Sequence, residues 1–129
     1  SGYRVLLVED NEINAEIASL ILSQYGLEVE RAENGLIGFE QVCNHPLGHY
    51  DAVLMDIQMP VMNGYESTER IRALDGAYYK SLPIIAMSAN AYDEDVNDCL
   101  EAGMNAHIAK PFNPDDLIRL LNKHLKGKA

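Results

Sequence analysis

Several side chains able to carry out chemistry each follow a short apolar run of the sequence: Glu9, Asp10, Asp56, Ser88 and Lys110. If these runs are parallel strands, their carboxyl ends meet at one edge of a sheet. Three carboxylates, a hydroxyl and an ammonium would then converge. Clustered carboxylates repel one another unless a cation compensates. Mg²⁺ accepts such oxygen ligands together with phosphate oxygens, and a lysine suits a phosphate. The set predicts metal-assisted phosphoryl transfer, with a carboxylate as the nucleophile.

Apolar runs and helical patterns alternate along the whole chain. Strands are predicted at residues 4–8, 27–32, 51–56, 83–87 and 106–109. Helices are predicted after each strand, at about 12–25, 35–43, 65–74, 92–102 and 114–125. The first helix is marked by apolar residues at helical spacing: Ile13, Ile17, Leu20 and Ile21. Residues 76–82 are predicted to form a polar loop. Strict alternation with apolar strands indicates a doubly wound α/β parallel sheet with helices on both faces.

The composition is that of one ordinary domain. The chain has 129 residues, of which 47% are hydrophobic and 23% charged, with a net charge of −10. This acidity argues against binding to nucleic acid, and no apolar run approaches the length of a membrane span. We expect one domain over residues 3–126, with residues 1–2 left by cloning and residues 127–129 as a tail. Cys43 and Cys99 lack a metal or redox spacing and are expected to be reduced core residues.

Four segments together resemble the receiver domain of two-component signalling, and the receivers of hybrid sensor histidine kinases are the most similar. The segments read VEDN at 8–11, MDIQMPVMNG at 55–64, MSA at 87–89 and KPF at 110–112. The resemblance covers essentially the whole chain in order and spacing. It implies a flavodoxin-like (βα)5 fold with strand order 2-1-3-4-5.

The resemblance also implies a role for each matching residue. Asp56 would be the phosphoacceptor, and Asp10 a direct Mg²⁺ ligand. Asp56 and the backbone carbonyl of Gln58 would complete the protein ligands, while Glu9 would act mainly through metal-bound water. Mn²⁺ could substitute for Mg²⁺.

Residues after the last two strands would bind the phosphoryl group: Ser88, Ala89 and Lys110. The peptide bond between Lys110 and Pro111 is expected to be cis. Side chains that flank the site by analogy would tune the lifetime of the phosphoryl group: Gln58 and Asn90.

One position departs from the family pattern. Three residues before the lysine, where the family often has Tyr or Phe as a switch residue, this chain has His107. A histidine can still change rotamer, but it is smaller and can change its charge. We therefore expect that signalling through His107 is sensitive to pH.

The resemblance further implies the partners. Asp56 would receive its phosphoryl group from a phosphohistidine of a histidine kinase or of a histidine phosphotransfer domain. The domain is not expected to be an enzyme, although it would promote its own phosphorylation and dephosphorylation. The expected output face is the surface of the fourth helix, fifth strand and fifth helix, through which a homodimer is also conceivable. No direct membrane contact is expected, and the domain would be cytoplasmic, free or tethered through a parent sensor kinase.

Three alternatives stay open from the residues alone. A Mg²⁺-dependent aspartyl-phosphate hydrolase would want a second Asp two residues after its nucleophile, where this chain has Gln58. An FMN-binding domain would need a phosphate loop after the first strand, and none is visible. A receiver could also serve only for docking. The remaining histidines, His45, His49 and His124, lack ligand spacing and are assigned to the surface.

Overall fold

The computed structural model describes residues 3–88, 93–110 and 113–125. Its strands are β1 (Arg4–Val8), β2 (Glu28–Ala32), β3 (Ala52–Asp56), β4 (Ile84–Ser88) and β5 (Ala106–Ala109). Its helices are α1 (Glu12–Gln24), α2 (Gly35–Asn44), α3 (Gly64–Arg72), α4 (Ala77–Ser81), α5 (Asp93–Ala102) and α6 (Pro114–Leu125). All strand pairs are parallel, in the order β2-β1-β3-β4-β5. The predicted fold class and strand order are confirmed.

Alternate residues of β1 supply two separate cores. Val5 and Leu7 pack on one face with buried residues of α1 and α6. Leu6 and Val8 pack on the other face with buried residues of α2, α3 and α5. The strand is therefore covered on both sides, which explains why it reads as an unbroken apolar run. No helix among the described residues is long and apolar enough to cross a bilayer.

Four of the described helices are preceded by an asparagine at the carboxyl edge of the sheet, among them α6, where Asn113 accepts from the N–H groups of Asp115 and Asp116. The side chains of Asn11, Asn34 and Asn63 each accept a hydrogen bond from a backbone N–H three residues later. Asparagine is among the strongest N-cap residues because its side chain satisfies one of the unpaired donors of the first turn. These caps fix where each helix starts and hence the length of each loop at this edge.

The prediction of a loop at residues 76–82 is wrong for its central residues, because they form the short helix α4. Its Tyr78 hydroxyl donates to the Tyr50 carbonyl at 2.7 Å. The Arg72 guanidinium donates to the Tyr79 carbonyl at 2.9 Å. A five-residue helix is too short to show a helical period in sequence, and these tertiary contacts stabilise it. The predicted fourth and fifth helices are therefore α5 and α6.

Three of the four apolar residues that mark α1 do not belong to its buried face, whereas the fourth, Ile21, is partly buried against the core. That face consists of Ala15, Ala18 and Leu22. In contrast, Ile13, Ile17 and Leu20 are 68%, 51% and 64% exposed. The two alanines let the helix backbone lie close to the sheet, and the larger side chains project outward as a ridge. We call Ile13, Ile17 and Leu20 the α1 ridge.

The two cysteines differ. Cys99 is buried, as expected of a core residue, whereas Cys43 is exposed near the end of α2. The core assignment of Cys43 is therefore wrong, because it lies on the outer face of its helix. Neither cysteine forms a disulfide bond.

Gly64 holds α3 against the end of β3. Its N–H donates to the Ile57 carbonyl at 2.8 Å. A Cβ at this position would lie 2.3 Å from the backbone oxygen of Asp56. Only glycine permits such a close approach of two backbones. The start of α3 thus holds the backbone on which the Asp56 side chain is mounted.

Candidate metal and phosphoryl-transfer site

Three carboxylates lie together at the carboxyl edge of the sheet. Each of Glu9, Asp10 and Asp56 offers one oxygen, and these oxygens lie within 4.8 Å of one another. Glu9 and Asp56 are only 2% and 7% exposed, whereas Asp10 is exposed. They follow β1 and end β3, which are hydrogen-bonded neighbours. The structure brings together the predicted carboxylates at the point where the strand order reverses, as expected for a doubly wound sheet.

Lys110 reaches into this group from the end of β5. Its Nζ lies 2.5 Å from Glu9 Oε1 and 3.4 Å from Asp56 Oδ2. The Lys110 backbone N–H donates to the Ser88 carbonyl at 2.7 Å, which joins the ends of β4 and β5. The ammonium therefore contacts both buried carboxyl groups and lies closer to Glu9 than to Asp56.

The two buried carboxyl groups have opposite pKa shifts. Burial, together with the adjacent Glu9 carboxylate, raises the pKa of Asp56 to about 7 despite the attraction of Lys110. Burial also tends to raise the pKa of Glu9, but hydrogen bonds from Asp56 and Lys110 outweigh it and lower that pKa. Two like charges in contact cannot both form cheaply, so Glu9 ionises first and Asp56 loses its proton only near pH 7. Asp56 is thus poised to lose its proton when a cation arrives.

Arg31 contacts the backbone of the site, although no motif in the sequence predicts this. Its guanidinium donates to the backbone carbonyl of Glu9 at 3.0 and 3.2 Å and to that of Asp10 at 3.3 Å. The register of β1 with β2 pairs Leu7 with Arg31 and so brings the side chain to this turn. Only strand pairing could reveal this contact. Arg31 fixes the backbone that carries two of the carboxylates.

The hydroxyl of Ser88 is hydrogen-bonded to the residue at the switch position. Its Oγ lies 2.7 Å from His107 Nε2. Both residues are partly buried, on the neighbouring strands β4 and β5. The structure thus joins two of the predicted site residues by a direct contact that the sequence did not predict.

Of the remaining predicted site residues, one lies near this edge of the sheet and three lie outside the described residues. Gln58 is exposed in the loop that follows β3. Ala89, Asn90 and Pro111 lie outside the described residues, so their predicted roles and the predicted cis peptide bond stay predictions.

The donor set fits a hard divalent cation such as Mg²⁺. Three carboxylates and one ammonium group form a partly buried cluster, which has an excess of negative charge. Mg²⁺ is usually held by one or two carboxylates while it keeps several waters. Glu9 is already bonded to Lys110, so the oxygens of Asp10 and Asp56 are the better placed to contact a cation directly.

Comparisons with known proteins agree with this geometry. The family model described as the response regulator receiver domain matches residues 5–122. The chain is 38% identical over 127 residues to transcription factor SKN7 of Saccharomyces cerevisiae, covering 98% of this chain and 19% of that protein. It is 41% identical over 125 residues to hybrid signal transduction histidine kinase M of Dictyostelium discoideum, covering 96% of this chain and 5% of that protein. The chain therefore spans less than a fifth of either relative.

Solved structures show the same likeness. The receiver domain of sensor histidine kinase PA1611 from Pseudomonas aeruginosa is 37% identical, with a TM-score of 0.87 and coverage of 98% of this chain and 99% of that one. That structure holds a magnesium ion in its active site cleft. Chemotaxis protein CheY4 of Vibrio cholerae is 28% identical, with the same TM-score and coverage of 97% and 100%.

The raised pKa of Asp56 predicts how stability depends on pH in the absence of metal. With a pKa of about 7 in the folded protein and about 3.9 when unfolded, Asp56 binds a proton in the folded state that the unfolded chain has released. The free energy of unfolding should therefore fall as pH rises from about 5 through about 7. Asp56→Asn has no carboxyl group to ionise, so it should not lose stability in this way. At pH 8 its free energy of unfolding should exceed that of the wild type by about 1 kcal/mol or more, since a shift of one pKa unit corresponds to about that energy.

Urea denaturation with chelator present, at pH 5, 7 and 8, gives the free energy of unfolding of both proteins. Mg²⁺ should stabilise the wild type at pH 8, where the carboxylate is charged, and have little effect on Asp56→Asn. A difference between the two proteins that stays constant from pH 5 to 8 would contradict the raised pKa.

Proposed function

Because this chain belongs to the response regulator receiver domain family, and thus to two-component phosphorelays, we propose that Asp56 is its phosphoacceptor. The observation that carries this proposal is the convergence of Glu9, Asp10 and Lys110 on the buried Asp56 carboxyl group. The chain is a signalling domain and not an enzyme of the usual kind. Its own residues are nevertheless arranged to promote phosphorylation.

In the proposed reaction, a carboxylate oxygen of Asp56 attacks the phosphorus of a phosphohistidine. The phosphorus–nitrogen bond breaks, and the imidazole leaves with its electron pair and takes up a proton. Lys110 neutralises charge on the phosphoryl oxygens during transfer. Water later cleaves the acyl phosphate, which releases inorganic phosphate and restores the Asp56 carboxylate.

A bound Mg²⁺ would supply charge neutralisation at the phosphoryl oxygens and favour the ionised form of Asp56. Asp10, Asp56 and the backbone carbonyl of Gln58 would hold it, with Glu9 acting mainly through water. Mn²⁺, which takes a similar set of oxygen ligands, would substitute.

The hydrogen bond between Ser88 and His107 supports a switch at this site. While Ser88 donates to His107, it cannot donate to a phosphoryl group on Asp56. A protonated His107 would donate from Nε2 to the Ser88 oxygen and leave the Ser88 proton for the phosphoryl group. Because His107 lies on β5, this exchange would change the surface of α5, β5 and α6, which is the proposed output face and a candidate for self-association.

The α1 ridge supports a separate proposal for where the phosphodonor docks. Ile13 begins the ridge three residues after Asp10, and Ile17 and Leu20 continue it by one and two turns. A partner that brings a phosphohistidine to Asp56 must cover this edge of the sheet. An exposed apolar ridge next to the site offers it the desolvated contact that interfaces depend on. We assign the ridge to a phosphohistidine-bearing protein.

The identity of that partner follows from the chemistry. A histidine kinase or a histidine phosphotransfer domain would supply the phosphohistidine, in the cytoplasm. The hybrid histidine kinases among the relatives support a parent of that type. The hydrolase alternative is weaker, because Gln58 stands where that mechanism would need a second Asp. The convergence of Lys110 and Ser88 on the edge argues against a domain that serves only for docking.

Asp56→Asn should abolish phosphorylation. After incubation with acetyl phosphate and Mg²⁺, intact-mass analysis should show a single phosphoryl adduct on the wild type that disappears with time and does not form with chelator. The exposed Asp75→Asn is the matched control and should be phosphorylated like the wild type. An equal adduct on Asp56→Asn would contradict the proposal. So would no adduct on the wild type together with no spectral response to beryllofluoride.

Replacing His107 by Phe should remove the pH dependence of switching without preventing phosphorylation. Beryllofluoride and Mg²⁺ are kept at concentrations that occupy Asp56 fully at each pH, since the raised pKa of Asp56 otherwise weakens binding at low pH. In the wild type, the spectral change at full occupancy should be larger at about pH 5.5 than at about pH 8, the range over which an imidazole ordinarily changes charge. In His107→Phe the two changes should be equal. A wild-type response that is the same at both pH values would rule out this role for His107.

Ile17→Asp should weaken phosphotransfer from a phosphorylated histidine phosphotransfer protein by about tenfold or more, the effect of losing about 1.4 kcal/mol of contact energy. Phosphorylation by acetyl phosphate should not change, because the small donor needs no docking surface. Leu47→Asp, which alters a side chain that is 66% exposed outside the ridge, is the control and should leave both reactions unchanged. If Ile17→Asp slows phosphorylation by the protein donor and by acetyl phosphate equally, the α1 ridge is not a docking surface.

A further inference from the structure

A second cluster of potential ligands lies at the opposite edge of the sheet from Asp56. It joins Glu30 of β2 to His45 and His49, which lie between α2 and β3. The segment that holds the two histidines leads into the amino end of β3, whereas Asp56 is at its carboxyl end. The assignment of both histidines to the surface needs correction, since each is partly buried and their rings are stacked. We propose that Glu30, His45 and His49 form a binding site for Zn²⁺.

The three side chains are already close enough to share an ion. Each offers one ligand atom, and these atoms lie within 4.8 Å of one another. The His49 Nε2 atom is 3.1 Å from Glu30 Oε2. The two imidazole rings are stacked, with centroids 4.0 Å apart and planes 12° apart. Ligand atoms at about 2.0–2.2 Å from zinc can be up to about 4 Å apart. Because the lone pair of an imidazole nitrogen lies in the ring plane, at least one of the two stacked rings must turn out of the stack before both nitrogens point to one ion.

Neighbouring groups orient two of the ligands. His45 Nδ1 lies 2.7 Å from the Gln41 carbonyl, which can only accept, so Nδ1 carries the proton and Nε2 keeps its lone pair. The Tyr50 hydroxyl donates to Glu30 Oε1 at 2.7 Å, while Oε2 faces His49. Zinc-binding histidines and carboxylates usually have such hydrogen-bonded partners behind them.

Arg4 defines the state of His49 in the absence of metal. Its Nη1 lies 3.2 Å from His49 Nδ1, and because a guanidinium can only donate, Nδ1 accepts. In the neutral ring the proton is therefore on Nε2 and points toward Glu30. Zinc would take the place of this proton, which moves to Nδ1. Arg4 would give up this bond and its 3.5 Å contact with Glu30 Oε2, which zinc would take over. It would keep its contacts to the His49 carbonyl at 3.0 Å and to Glu28 at 2.9 Å.

The donor set distinguishes this cluster from the carboxylate site. Two imidazoles and one carboxylate suit zinc, whereas Mg²⁺ prefers oxygen ligands alone. All three side chains are partly exposed, so water can complete the coordination. A zinc ion here would tie β2 to the segment before β3. It would stabilise the fold without touching Asp56.

Isothermal titration of the wild type with Zn²⁺, in excess Mg²⁺ to occupy the carboxylate site, tests the proposal. Because the exposed Cys43 is a rival zinc ligand, all proteins carry Cys43→Ser. One zinc ion should bind, and His45→Gln and His49→Gln should each weaken binding at least tenfold. His124→Gln removes a histidine outside the cluster and should bind like the parent. Tyr50→Phe should weaken binding by about 10- to 100-fold, as loss of a ligand's hydrogen-bonded partner does.

Two further measurements do not depend on the folding of the variants. Zinc should raise the melting temperature of the parent protein by several degrees, since it binds only the folded chain. It should also shift the ring nitrogen signals of His45 and His49 in NMR spectra, and leave those of His107 and His124 in place. Zinc binding that persists in His45→Gln and His49→Gln, or ring signals of His45 and His49 that do not respond, would overturn the proposal. The cluster would then be a hydrogen-bond network only.

Discussion

The contact between the buried carboxyl groups of Glu9 and Asp56 is the constraint on which the site depends. Two like charges would separate if the backbone allowed it. The strands that carry them are held side by side by the ladder between β1 and β3 and by apolar side chains on both faces. Lys110 compensates one of the two charges, and a shared proton at Asp56 relieves the other. Folding energy from the two cores thus maintains an arrangement that is electrostatically unfavourable until a cation binds.

The surrounding structure is organised to keep that arrangement rigid at its backbone. Arg31 holds the carbonyls of Glu9 and Asp10, and Gly64 brings the start of α3 against Asp56. The side chains of Ser88 and His107, at the same edge, are joined by a hydrogen bond that another acceptor can replace. A fixed backbone with exchangeable side-chain bonds is what a two-state signalling domain requires.

Contacts made through loops and single side chains could not be predicted from sequence. The helix α4 depends on the hydroxyl of Tyr78 and on Arg72, which lie outside any periodic pattern. Apolar spacing located α1 correctly but not its buried face, because the two alanines that allow close packing carry little hydrophobic signal. The cluster of His45, His49 and Glu30 was not predictable either, because the two histidines have no metal-ligand spacing and Glu30 comes from the distant strand β2.

The fold and the neighbours at the site follow from the amino-acid sequence. Unbroken apolar runs alternating with helical patterns specify a parallel sheet, and a parallel sheet must gather the residues that follow its strands at one edge. Asp10, Asp56 and Lys110 were therefore predictable as neighbours. The partner that each of them contacts, the carboxyl group with the higher pKa, and the hydrogen bond between Ser88 and His107 follow only from the packing of the strands. Those outcomes depend on distances of a few ångströms between strands, and hydrogen bonds and charge interactions change over that same range.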